Sequence, residues 1–146
     1  MTEILIKRLS KNISLPKYET DGSSGMDLAA NLNNNVEIKP GDTAIIPTGL
    51  ALSIPKNFEV QIRPRSGLAA KKQISVLNTP GTIDADYRGE LKVILINLSK
   101  DTFVVEKGLR IAQMVLCPVI KATLKEVDKL ENTPRGSGGL GSTGIK

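Results

Sequence analysis

At 146 residues, with 40% apolar and 24% charged side chains, the chain has the size and composition of a single soluble globular domain. It contains no histidine and one cysteine, Cys117, which excludes imidazole bases, Ser-His and Cys-His nucleophile pairs, histidine or thiolate zinc centres and an internal disulfide. The net charge of +5 suits a small polyanionic ligand, but the longest basic runs are the pairs Lys7-Arg8 and Lys71-Lys72, and no basic stripe with interleaved aromatics is present, so nucleic acid is not the expected partner.

An enzyme with this composition is expected to use a carboxylate as its base and, if it uses a metal, a hard oxygen-bound ion such as Mg2+. The only aromatic residues are Tyr18, Phe58, Tyr87 and Phe103, so a core must be packed by Ile, Leu and Val. The N-terminal stretch MTEILIKRLS is a short apolar patch broken by charge and does not read as a signal peptide. No stretch approaches the roughly 18 apolar residues of a membrane span. The expectation is a soluble, cytoplasmic protein with no membrane partner.

Along the chain the dominant period is two. Gly25-Met26-Asp27-Leu28-Ala29-Ala30 reads as a strand with a carboxylate among small apolar residues, and Asp27 is there either as a partnered structural group or as a functional one. Val36 to Lys39 alternates and meets the turn signal Pro40-Gly41-Asp42. Strands are expected over 43–47, 50–54, 58–63, 91–98, 103–106 and 110–119, with turn chemistry at Pro55-Lys56-Asn57, Thr79-Pro80-Gly81, Asp86 to Gly89 and Lys107-Gly108. Between the strands at 58–63 and 91–98 lies Arg63-Pro64-Arg65-Ser66-Gly67-Leu68-Ala69-Ala70. Proline stops the strand there and a short helix is expected over about 67–73. Arg65, Ser66 and the free N–H groups at the helix start form either an anion site or an ordinary cap beside a surface arginine.

The next segment, residues 78–90 (NTPGTIDADYRGE), places carboxylates, an amide and one of the four aromatics in a hairpin-like loop. Its backbone could read a base edge, its tyrosine could carry a sugar and an aspartate could activate water; the plain alternative is a decorated turn. In Lys107 to Gln113, Arg110 and Gln113 are three apart, which puts them on opposite faces of a regular strand. Cys117 lies in an apolar run and reads as a structural residue. Short strands at this spacing predict an all-β sandwich or barrel.

Five of the 13 glycines fall within Arg135 to Gly144, RGSGGLGSTG. The string imitates a dinucleotide fingerprint and a P-loop, but both need a following helix to hold the phosphates. Only two residues follow, and Ser142 stands where the P-loop lysine belongs. What is left is either a flexible tail or a loop whose backbone N–H groups and Arg135 close on phosphate oxygens.

Taken in order, GMDLAA, PRSGLA, NTPGTIDADYRGE, GLRIAQ and RGSGGLGSTG resemble the five ordered motifs of the homotrimeric dUTP pyrophosphatases, the dUTPases, over about residues 25–144. The resemblance implies a jelly-roll-like, β-rich subunit spanning 1–132 and an arm, 133–146, that closes over a neighbouring subunit's site in a homotrimer with shared active sites. It implies hydrolysis of dUTP to dUMP and pyrophosphate by water attack at the α-phosphorus, which keeps uracil out of DNA and supplies dUMP for thymidylate synthesis.

By the same resemblance, Asp84 activates the water, and Mg2+ bridges the phosphates. Asp27 supports the metal's water shell or holds the phosphate-binding arginine. Arg65, Ser66, Gly67 and Gln113 bind phosphates; Asn78, Gly81, Thr82 and Ile83 read uracil; Tyr87 packs on the deoxyribose. Arg135, Gly138, Leu140, Gly141, Ser142 and Thr143 close the lid. Two positions depart from the family pattern: Leu140 stands where a phenylalanine usually stacks on uracil, and Leu109 where aspartate is common. The related dCTP deaminases need a glutamate-centred site that has no counterpart in these motifs. A catalytically inactive nucleotide-binding protein is opposed by the presence of Asp84, Tyr87 and Arg135.

Overall fold

The strict alternation of Phe58-Glu59-Val60-Gln61-Ile62-Arg63 turns Val60 and Ile62 inward, and the same logic builds most of the molecule. The computed structural model describes residues 2–144. Its elements are β1 (Leu5–Arg8), β2 (Met26–Ala29), β3 (Val36–Ile38), β4 (Thr43–Ser53), β5 (Phe58–Arg63), α1 (Ser66–Lys72), β6 (Ile74–Val76), β7 (Gly81–Ile83), β8 (Glu90–Asn97), β9 (Phe103–Val105) and β10 (Arg110–Pro118). They form one sheet in the order β1-β4-β8-β6, a second in the order β2-β10-β5-β7, and a ribbon β3-β9. All the ladders are antiparallel. The result is the all-β, jelly-roll-like architecture expected, with a single short helix. No helix among the described residues is long and apolar enough to cross a membrane.

The core lies between the sheets and is aliphatic. Leu28, Val60, Ile62 and Ile111 from one sheet meet Ile46, Ile74, Leu91, Val93 and Leu95 from the other, and Ile38 and Val105 of the ribbon close one end. Phe58 and Phe103 pack only at its margin. In β8, Leu91, Val93, Leu95 and Asn97 face inward while Lys92 is exposed, a clean two-residue period.

The ends of the elements are where structure and sequence reading differ. The two strands expected over 43–47 and 50–54 are one strand, β4, with a register shift between Pro47 and Ala51. Gly49 sits in that irregularity at φ +70, a conformation glycine adopts without steric cost. Its N–H donates to Glu90 Oε1 at 2.9 Å, and the Thr48 hydroxyl donates to Leu91 O at 2.7 Å, so the interrupted ladder leaves these groups satisfied. β1 and β6, only four and three residues long, were too short to be recognised by periodicity. The helix starts one residue earlier than expected and takes Gln73 as its left-handed cap, whose N–H bonds Ala69 O and Leu68 O.

Asn97 is the one buried amide at the junction of sheet and ribbon. Its Nδ2 donates to Ile38 O and to Asp101 O, both at 2.8 Å, and its Oδ1 accepts from the Ser99 N–H and hydroxyl. It is 0% exposed, so no water replaces these partners. Asn97→Leu is expected to take the side-chain donor from Ile38 O and the acceptor from the Ser99 N–H, with the Ser99 hydroxyl still serving Asp101 O, and to lower stability by about 2 kcal/mol. A urea titration at fixed protein concentration checks this; the expected result is a lower midpoint with an unchanged slope.

Candidate active site

Three of the sequence motifs meet at one end of the second sheet. Asp27 of β2 lies opposite Gln113 of β10, which in turn lies opposite Arg63 of β5. Arg65, two residues beyond β5, donates from Nε to Asp27 Oδ1 at 3.0 Å. Arg110 donates from Nη1 to Asp27 Oδ2 at 3.1 Å, and Glu19 stands 3.9 Å from the same guanidinium. One carboxylate therefore orients two arginines, the arrangement needed to present fixed positive charge to an anion. Gly25, Asp27, Arg65, Ser66, Gly67 and Gln113 line a cleft of about 310 Å³. Arg65 holds the helix N-cap position with extended backbone and no side-chain cap, so Ser66 faces the cleft at the helix start instead of capping it.

The expectation that Arg110 and Gln113 point to opposite faces is overturned. The ladder pairs Arg110 with Ala29 but Ala112 with Leu28, so β10 spends two residues against one of β2. This bulge at Ile111 buries Ile111 and Ala112 in succession and restores the phase, so Arg110 and Gln113 emerge on the same outer face. The sequence does carry the apolar doublet Ile111-Ala112 between Arg110 and Gln113. Arg110 also finds carboxylate partners in Asp27 and Glu19, although Leu109 supplies none.

Gln113 anchors the cleft floor by donating from Nε2 to Pro64 O at 2.9 Å. A β-carbon on Gly25 would strike its Oε1 and come within 3.3 Å of its Cδ, so glycine is required for Gln113 to lie there.

The second group sits at the other edge. Residues 81–83, expected within a loop, form the edge strand β7, paired to β5 with Ile62 opposite Gly81 and Val60 opposite Ile83. Thr82, Ile83, Asp84 and Tyr87 line a cleft of about 170 Å³ together with Glu90 and Lys92. The Asp84 carboxylate is exposed, and the turn it begins is closed by Tyr87 N–H donating to Asp84 O at 3.1 Å. Asn78 stands beside Gly81, where a β-carbon would approach its Nδ2 to 3.1 Å.

These two clefts are not one site within a single chain. Asp27 and Asp84 are separated by three strand spacings, ~14 Å, and by about four residues of register, ~13 Å, which puts them roughly 20 Å apart. The third group is the glycine-rich end of the chain. Regular structure ends at Pro118, and beyond Val119 N–H, which bonds Asn57 O, the backbone hydrogen bonds among the described residues are local to the arm. Arg135 Nε donates to Gly138 O at 2.9 Å, and Ser142 N–H donates to Gly139 O at 2.9 Å, so Arg135, Gly138, Leu140, Gly141, Ser142 and Thr143 form a self-contained string of turns. Ile145 and Lys146 lie outside the described residues.

Residues 11–144 match the family model described as dUTPase. The chain belongs to the dUTPase family. It is 58% identical over 146 residues to a deoxyuridine 5'-triphosphate nucleotidohydrolase of Rickettsia bellii, covering 99% of this chain and 97% of that one. It is 54% identical over 143 residues to one of Gloeothece citriformis, covering 98% and 97%. Among solved structures it superposes on the dUTPase of Staphylococcus bacteriophage 80alpha, solved with dUPNHPP, with a TM-score of 0.84 at 28% identity, covering 99% of this chain and 100% of that one. The dUTPase match thus takes in all three separated groups of residues.

Gly25→Ala is expected to swing Gln113 off Pro64 O while leaving the fold intact, because the severe clash falls on the end of a flexible side chain and the Val115 methyl, 3.2 Å away, need shift by only a few tenths of an ångström. Hydrogen exchange of the Gln113 side-chain amide, followed by NMR, checks this; exchange should be faster in the variant than in the parent.

Proposed function

We propose that the chain is a dUTP diphosphatase that hydrolyses dUTP to dUMP and pyrophosphate in the cytoplasm, keeping uracil out of DNA and supplying dUMP for thymidylate synthesis. The observation that carries this reading is the open edge at β7, which sets an exposed Asp84 carboxylate beside Tyr87 on a chain that matches the dUTPase family over nearly its whole length. With no histidine in the sequence, and with Cys117 Sγ held by Arg63 and Val115 O, the nucleophile is water and the base a carboxylate.

Asp84 orients a water for in-line attack on the α-phosphorus and takes its proton. The bond from the α-phosphorus to the bridging oxygen breaks, and pyrophosphate leaves. A carboxylate is a weak base, so much of the rate comes from positioning and from charge placed where the transition state needs it. Arg65, Ser66, Gly67 and Gln113 receive the phosphates. Asp27 holds Arg65 by the Nε bond, so the guanidinium's remaining donors are left for the substrate.

β7 reads the base. As an edge strand it leaves alternate peptide groups unpaired on its outer side, ready for the uracil edge, and Asn78 adds an amide. Cytosine presents a donor where uracil presents an acceptor, so it leaves buried partners unmatched. Tyr87 supports the deoxyribose and leaves no room for a 2′-hydroxyl.

The donor set fits Mg2+ held mainly by the triphosphate. No group of three metal-ligating carboxylates or cysteines stands together among the described residues. Asp27 keeps lone pairs for a metal-bound water even with an arginine on each oxygen. When bound, the ion neutralises phosphate charge and eases departure of pyrophosphate.

The assembly that suits this division is a homotrimer with shared sites. The two clefts lie about 20 Å apart in one chain. Between β10 and the arm, Ile120 at 96%, Leu124 at 94% and Leu130 at 80% exposure offer apolar surface that a neighbouring subunit would cover. Arg135, Gly138, Leu140, Gly141, Ser142 and Thr143 would then close over the neighbour's phosphates.

Pyrophosphate release is to be measured from dUTP, dCTP, dTTP and UTP with Mg2+. Release from dUTP alone is expected, and Asp84→Asn should lower kcat by about 10²- to 10⁴-fold with dUTP still bound. No release from any nucleotide by the parent chain would overturn the reading. Leu140 is fully solvent-exposed in the arm. Leu140→Phe should lower the KM for dUTP by about fivefold, the scale of one aromatic contact, in steady-state assays.

A further inference from the structure

Gly89 is a glycine without a backbone reason for being one. Gly41, Gly49 and Gly108 have positive φ, but Gly89 does not, so its conformation is open to other residues. What requires the missing side chain is the Tyr87 ring. A β-carbon on Gly89 would lie 2.6 Å from Tyr87 Cζ and 3.0 Å from Cε2, and would also strike the phenol oxygen. The ring folds back over its own chain, rests on Gly89 and donates its hydroxyl to Glu90 O at 3.0 Å. That carbonyl is itself held in place, because Glu90 begins β8 and its carboxylate accepts the Gly49 N–H.

Tyr87 is 44% exposed, so no surrounding core holds the ring in one place. Its position depends on the bare α-carbon beneath it and the carbonyl at its tip. The same ring lines the cleft with Thr82, Ile83 and Asp84. We propose that Gly89 is a positioning residue for sugar selection: it lets the Tyr87 ring lie against the chain and so sets the wall that refuses a 2′-hydroxyl. The inference rests on the reading of Tyr87 as the support of the deoxyribose.

Alanine at this position fits the backbone, and the conflict falls on the far end of a flexible side chain. Gly89→Ala therefore folds, but its ring is displaced and loses Glu90 O. A wall that is no longer held discriminates less between sugars that differ by one hydroxyl.

The test is kcat/KM for dUTP and UTP in the parent, Gly89→Ala, Tyr87→Ala and the double variant. Gly89→Ala should lower the dUTP-to-UTP ratio by roughly tenfold or more. In the Tyr87→Ala background the same change should move the ratio by less than about twofold, since there is no ring left to displace. A parent-like ratio in Gly89→Ala, or an equal loss in both backgrounds, overturns the proposal. A parent-like ratio in Tyr87→Ala alone overturns the sugar reading and the inference together. NMR separates the two failures. A Gly89 Hα resonance shifted upfield by the ring in the parent, and normal in Tyr87→Ala, establishes the seat independently of activity; an unshifted resonance in the parent overturns the seat itself.

Discussion

The pairing of β10 with β2 on one side and β5 on the other, interrupted by the bulge at Ile111, is the constraint on which the cleft of Asp27, Arg65 and Gln113 depends. A regular β10 would send Arg110 and Gln113 to opposite faces. One extra residue brings both to the outer face, where Arg110 meets Asp27 and Gln113 meets Pro64. The bulge also buries Ile111 and Ala112 side by side, so the core contact and the site geometry are set by the same irregularity. Asp27 then serves the two arginines at once. An unpartnered carboxylate at this half-buried position would be costly, and unpartnered arginines would be free to wander.

The opposite edge of that sheet works on a different principle. β7 is short and paired on one side only, which leaves peptide groups available to a ligand. The Asp84–Glu90 turn is held by its own backbone and side chains: Arg88 donates to Ala85 O and Tyr87 O, and the Tyr87 hydroxyl reaches Glu90 O. Such a turn is ordered locally, with little help from the core. It holds Asp84 and the Tyr87 ring in fixed relation to each other, while the cleft of Asp27 is organised some 20 Å away by β2 and β10.

Between Pro118 and the glycine-rich arm, the chain exposes Ile120, Leu124 and Leu130 to solvent. The aliphatic sandwich holds the charged cleft and the β7 edge rigidly, while the hydrogen bonds of the glycine-rich arm are local to it, a segment with few tertiary restraints.

The sequence by itself determined the fold class, the aliphatic core, the short helix after Pro64 and the residue types able to do the chemistry. Alternation at 58–63 and 91–97 is a direct consequence of facing one sheet onto another, and it is local enough to read along the chain. The absence of histidine, which rules out an imidazole base, is likewise read directly from the chain. Other features depended on partners distant in sequence. Whether residues 81–83 form a loop or an edge strand is decided by β5, twenty residues earlier. Whether Asp27 is structural or functional turns on Arg65 and Arg110 arriving at its two oxygens from 38 and 83 residues away. The Ile111-Ala112 doublet was visible, but its effect on Arg110 and Gln113 follows only once β2 is laid alongside, because a bulge is a property of a pair of strands and not of one. Gly89 is the same case at shorter range: the sequence shows a glycine in a turn, and only the position of the Tyr87 ring shows why nothing larger fits.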